Sequence, residues 1–173
     1  MKSTRIYFLC RLALLSALAI ALSALEGVFT PVLPPFVKAG LSNVAVMLAA
    51  AFLGLPSAVA VTLFKACFAL LTRGVVASVL SLSGGLASAC LLWALFKYAR
   101  TLGVFGISVL GAVTHSTLQL LVSALLYGRA VWFYAPIMLL LALPSGVITA
   151  AVLRAGERLF MHYLPQKRKD KDS

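Results

Sequence analysis

Residues 111–121, GAVTHSTLQLL, place a histidine and a glutamine four positions apart inside a long apolar run. Extending the register in both directions gives Ser108, Gly111, His115, Gln119 and Ser123, recurring at three- and four-residue steps. On a helix these residues form one stripe. Val109, Leu110, Val113, Leu118, Leu120 and Leu121 surround the stripe with lipid-compatible side chains. Lipid offers no hydrogen-bond partners, so such a stripe must face other helices or a wet cavity. Serine and glycine alone would suit helix-to-helix hydrogen bonding, worth about 0.6 kcal/mol per contact. The added His115–Gln119 pair favours a ligand-binding surface.

Lys65 is the second candidate, near the middle of the apolar stretch TLFKACFALLTRG, with Arg73 at its end. A lysine at mid-membrane costs roughly 2.5–3.5 kcal/mol on insertion scales, and helix on both sides makes snorkelling inefficient. Glu26 and Glu157 fall at the ends of apolar runs and both aspartates lie in the tail. On that reading Lys65 has no carboxylate partner, which favours an anionic ligand. Lys38 and Arg73 belong to the same side and would form a positive funnel. Glu26 either pairs with Lys38 or touches the ligand.

These residues must be held by membrane helices. The chain has 173 residues, 62% hydrophobic and only 11% charged, against about 25% charged in soluble domains. Apolar runs long enough to cross a bilayer fall at about 7–25, 37–53, 57–72, 75–96, 103–126 and 133–153. The expected fold is an all-α, polytopic bundle of about six transmembrane helices. It comprises residues 1–153, followed by a basic cytoplasmic tail, 154–173. The segment 26–40, with its prolines, is the one substantial loop and a candidate cover for the site.

The net charge of +11 does not indicate nucleic acid. Lys2, Arg5, Arg11, Lys97, Arg100, Arg154, Arg158 and the tail lysines cluster on one side of the spans. Only Lys38, Arg73 and Arg129 fall on the other. This asymmetry sets both termini inside a cell membrane, with the tail near anionic lipid headgroups. Cys10, Cys67 and Cys90 lack metal-ligand spacing and read as small buried packing residues. The run SVLSLSGGLASA reads as a close-packing helix face, and Ala13, Ala17 and Ala21 allow another helix to approach the first span. No metal cluster, Ser-His-carboxylate set or phosphate-binding glycine loop is present in the sequence. The expectation is therefore a non-enzyme without a cofactor.

KAGLSNVAVMLAAAFLG (38–54), LFKACFALLTRG (63–74) and GAVTHSTLQLLVSALLYG (111–128) resemble the signatures of the Gx transporter family. Its older label is heptaprenyl diphosphate synthase component I. The resemblance covers about residues 10–153. It implies a bundle similar to the substrate-binding (S) components of energy-coupling-factor transporters, which take up vitamin-like solutes with a transmembrane coupling protein and two ATPases. It also implies that Ala13, Ala17 and Ala21 dock the coupling protein, and that Asn43, Lys65, His115 and Gln119 occupy the family's polar positions. Ser42 and Ser116 depart from its usual alanine and asparagine, which bears on ligand identity rather than fold. The alternative function is a non-catalytic membrane accessory subunit of isoprenoid, quinone or flavin-linked metabolism.

Overall fold

The computed structural model describes the backbone of residues 2–29, 40–99 and 102–163, and side chains within 5–28, 40–99 and 102–155. Six α-helices follow one another: α1 (Lys2–Phe29), α2 (Asn43–Phe52), α3 (Leu55–Arg73), α4 (Val75–Tyr98), α5 (Val104–Tyr127) and α6 (Ala135–Tyr163). A short 3-10 helix, Arg129–Tyr134, leads into α6. Five of these segments are long and apolar enough to cross a membrane: Arg5–Val28, Leu55–Arg73, Val75–Tyr98, Val104–Tyr127 and Arg129–Ala155.

The second span differs from its sequence reading. Only Asn43–Phe52 is helical there, and ten residues rise about 15 Å, half of a hydrocarbon core of about 30 Å. Two glycines set its limits. Gly40 (φ 78°) accepts from the Asn43 N–H as the chain enters the helix, and Gly54 (φ 87°) turns it into α3. A residue with a Cβ adopts that backbone at a cost. Pro56 then occupies the first turn of α3, where its missing N–H leaves no bond unmade.

α1 also runs further than its apolar core, through Glu26 to Phe29. Gly27 weakens a helix without ending it; the first strong breaker is Pro31, which disfavours helical geometry at the residue before it. The expected 26–40 loop therefore begins as helix, and its residues 30–39, with Lys38, lie outside the described residues.

α2 is the hub of the bundle. The helices α1, α3, α4, α5 and α6 each pack against it, whereas α3 and α5 both pack on α4 and, among the described residues, not on one another. Every residue from Asn43 to Ala50 is buried. Leu15 and Ala19 of α1, Val61 of α3, Ala89 and Leu92 of α4, Ile107 of α5 and Leu153 of α6 close a common core around Val44–Ala50.

The polarity of the bundle follows from a single contact. Arg73 Nη2 donates to Ser23 Oγ at 2.6 Å, so α1 and α3 end on the same side and α2 brings the chain back between them. Short turns make α3, α4, α5 and α6 alternate, which leaves the start of α1 and the end of α6 together. Arg5, Arg11, Lys97 and Arg154 mark that side as the inner one. There the Lys97 ammonium lies 4.7 Å from the Trp93 ring centroid and 5.1 Å from that of Tyr98. Arg154 sits 4.3 Å from the centroid of Phe105. Cations against aromatic faces suit the polar–apolar boundary of a membrane.

The outside of the bundle is apolar, with Leu63, Phe64, Leu71, Leu125, Phe133 and Leu140 exposed. Cys10, Cys67 and Cys90 are exposed there too, which corrects their reading as buried packing residues. In a membrane bundle the exterior is itself apolar, so a thiol meets a compatible environment on either side of the helix.

Candidate functional site

The α5 stripe faces inward as its spacing requires: Ser108, Gly111, His115, Gln119 and Ser123 are all buried. α4 supplies the surface they meet. A Cβ on Gly84 would lie 2.9 Å from His115 Nδ1, the His115 carbonyl oxygen and Gln119 Cγ. A Cβ on Gly85 would lie 2.5 Å from Thr62 Cγ2 on the other flank. The Gly84–Gly85 pair thus lets α3 and α5 approach α4 from two sides, and the close-packing reading of SVLSLSGGLASA holds.

Across this contact Gln119 Nε2 donates to the Leu80 carbonyl at 3.3 Å. Ser108 Oγ donates to the Gly146 carbonyl at 2.6 Å, fixing the other end of α5 to α6. Asn43, at the first turn of α2, accepts from Ser88 Oγ through Oδ1 at 3.0 Å. Asn43, Ser88, Gly84, His115 and Gln119 form a polar seam through α2, α4 and α5.

Asn43 adjoins a second, charged group through its neighbour Ser42. Ser42 donates to Glu26 twice, from its backbone N–H to Oε1 at 3.4 Å and from Oγ to Oε2 at 2.9 Å. Glu26 is buried, and Lys65 is only 1% exposed. Lys65 therefore does not snorkel. Its surroundings contain the favourable charge of Glu26 and the unfavourable charge of Arg73. This corrects the expectation of a lysine without a carboxylate. Glu26 lies in the last turn of α1, and Ser42, just before α2, folds over it. Two cations and one carboxylate leave this α1–α2–α3 region with a net charge of about +1, by formal side-chain charge.

Glu26 lies on a buried stripe of α1 with Leu15, Ser16, Ala19 and Ser23. Their three- and four-residue spacing is present in the sequence, with the alanines on the opposite face of the helix. Ser23, Ser42 and Ser88 are the contact residues that spacing alone did not single out. Ala13, Ala17 and Ala21 are exposed, one per turn along the outside of α1.

Beside Arg73 a cleft of about 280 Å³ opens between the ends of α1 and α3. It is lined by Ser23, Ala24, Gly27, Val28, Phe68, Thr72 and Arg73. The structure therefore groups the anticipated residues in two places: Asn43, His115 and Gln119 along the seam, and Glu26, Lys65 and Arg73 in the charged region. Lys38 falls outside the described residues.

Five long apolar helices enclosing polar and charged side chains define a multi-pass membrane protein. The chain belongs to the heptaprenyl diphosphate synthase component I family, whose match extends over residues 15–155 and so includes both polar groups. No curated protein and no solved structure matches it.

Proposed function

We propose that this protein is the solute-binding and transport subunit for a small, water-soluble anion, and that it is not itself an enzyme. The observation that carries this reading is the charge imbalance around Lys65. Buried Lys65 has one carboxylate, Glu26, and a second, part-buried cation, Arg73, in its surroundings. An anion entering from the outer side completes the compensation. Burying an unbalanced charge is costly, so this region favours a negatively charged ligand over a neutral one. Asn43, His115 and Gln119 supply directional hydrogen bonds to it through the adjoining seam, and Arg73 extends the positive field toward the outer face.

The exposed Ala13, Ala17 and Ala21 row supports docking of a second membrane protein, since small residues one turn apart let helix backbones approach closely. With the resemblance to S components, the partner is a transmembrane coupling protein acting with ATPase subunits. The family's description favours a second reading, a non-catalytic accessory subunit in isoprenoid metabolism.

Native mass spectrometry on protein purified in mild detergent separates the two. A co-purifying water-soluble anion, retained by the parent protein and lost in Lys65→Met, supports the transport reading. Protein that carries no such anion, and whose Lys65→Met variant has unchanged partners, moves the assignment to the accessory subunit.

A further inference from the structure

The cleft between the ends of α1 and α3 has a chemistry of its own. Arg73 and Ser23 form its polar end, and Ala24, Gly27, Val28 and Phe68 supply apolar walls. Arg73 is fixed by its bond from Nη2 to Ser23 Oγ. Its Nη1 is enclosed and has no hydrogen-bond partner among the described residues. A guanidinium carries five N–H donors in a fork that suits phosphate, so most of its capacity is unused here.

The nearby carboxylate does not cancel this charge. Glu26 is held by Ser42 and lies in the field of Lys65. The side chains around the cleft face the bilayer, since Ala24, Leu25, Val28, Leu71 and Thr72 are exposed. A cation at the end of an outward-running helix, above an apolar wall, sits where outer-leaflet phosphates lie.

We infer that this cleft binds the phosphate headgroup of an outer-leaflet phospholipid, with Arg73 and Ser23 on the phosphate and an acyl chain along Gly27, Val28 and Phe68. Charge complementarity selects the phosphate, and the apolar lining selects a lipid over free phosphate. Gly27 is the point at which the two contributions separate. A Cβ built there meets nothing within 4 Å, so a larger side chain fills the cleft without pushing on the bundle. The cleft shares Arg73 with the solute reading, but neither Lys65 nor the α5 seam lines it, so Gly27→Leu tests the cleft without altering the charges around Lys65.

The test is native mass spectrometry of delipidated full-length protein titrated with phosphatidylglycerol, diacylglycerol or inorganic phosphate. Arg73→Gln removes the charge, and Gly27→Leu fills the apolar part. Thermal unfolding confirms that each variant is folded, and Gly27→Ala provides a milder filling. The expected result is one phosphatidylglycerol per protein, bound at least about tenfold more weakly by Arg73→Gln, through the loss of a charged hydrogen bond, and by Gly27→Leu, through exclusion of the acyl chain. Diacylglycerol and inorganic phosphate should show no comparable binding. Phosphate binding that depends on Arg73, with phosphatidylglycerol indifferent to Gly27→Leu, would overturn the lipid assignment in favour of a free-anion site. Equal phosphatidylglycerol binding by all variants would overturn the site altogether.

Discussion

The seam along α5 is buried throughout, whereas the charged region between α1 and α3 is buried at Glu26 and Lys65 and part-buried at Arg73. The two are held by different physics. Along the seam Gln119 meets the Leu80 carbonyl, Ser88 meets Asn43, and Gly84 admits both His115 and Gln119. Close approach and a few hydrogen bonds hold it, with the His115 Nδ1 and Ser123 Oγ atoms buried without a hydrogen-bond partner among the described residues, so shape governs it. In the charged region the hydrogen bonds hold Glu26 and Arg73, but one carboxylate stands against two cations. Charge governs there, and the balance remains incomplete within the protein. The first region explains how the helices stay together, and the second explains why a membrane protein would retain a lysine in its interior.

The largest effect should come from breaking that balance in the direction that worsens it. Glu26→Gln leaves Lys65 and Arg73 without an opposing charge, and we expect destabilisation of about 3–5 kcal/mol, the usual cost of an uncompensated buried charge. Lys65→Met does the reverse, leaving Glu26 and Arg73 matched, and should cost less than about 1 kcal/mol or stabilise the apo protein. Thermal unfolding in detergent, followed by circular dichroism, measures both. The double variant should recover much of what Glu26→Gln loses, a coupling that a double-mutant cycle reads directly. If Lys65→Met were the more damaging single change, the excess positive charge would not be a property of this region.

The two regions were also unequally legible in the sequence. The α5 stripe could be read from spacing, because a helix repeat in a lipid-facing background sorts polar residues onto one face. Five long spans were equally visible as apolar length. Two things escaped. α2 is as apolar as a full span but is cut short by Gly40 and Gly54, and hydrophobicity alone does not separate a half-length buried helix from a crossing one. The environment of Lys65 depends on α2 returning Ser42 to Glu26, a contact sixteen positions apart. No local period encodes it. A carboxylate near the end of an apolar run looks solvated until the neighbouring helix is in place. The net charge of the region could therefore be found only once the helices were assembled.

If shape governs the seam, adding a single methyl should matter where charge substitutions do not apply. In Gly84→Ala the new carbon would meet the His115 carbonyl oxygen at 2.9 Å, a backbone atom that moves only with α5. In Gly85→Ala it would meet Thr62 Cγ2 at 2.5 Å. Thr62 is itself tied to the Ala58 carbonyl at 2.9 Å and has few rotamers in a helix. Each change should cost about 1–3 kcal/mol, as overpacking does elsewhere. Gly27→Ala is the control on open space, and improved helix propensity there should give a gain of up to about 1 kcal/mol. Equal melting temperatures for all three would mean that the helices slide freely past Gly84 and Gly85.

The smallest effect should come from the seam's individual hydrogen bonds, and its smallness is informative. Ser88→Ala removes the donor to Asn43 Oδ1, together with the same hydroxyl's contact to the Gly85 carbonyl at 3.0 Å. Interhelical bonds of this kind average about 0.6 kcal/mol and reach about 1.7, so the Ser88–Asn43 coupling should fall in that range in the apo protein. Asn43 is also a proposed ligand donor, and bound solute draws its amide into a shared network. The coupling measured with co-purified anion in place should then exceed the apo value. A coupling that is the same with and without the anion would confine Asn43 to holding α2 against α4. The solute contacts would then rest on Lys65 and the α5 residues alone.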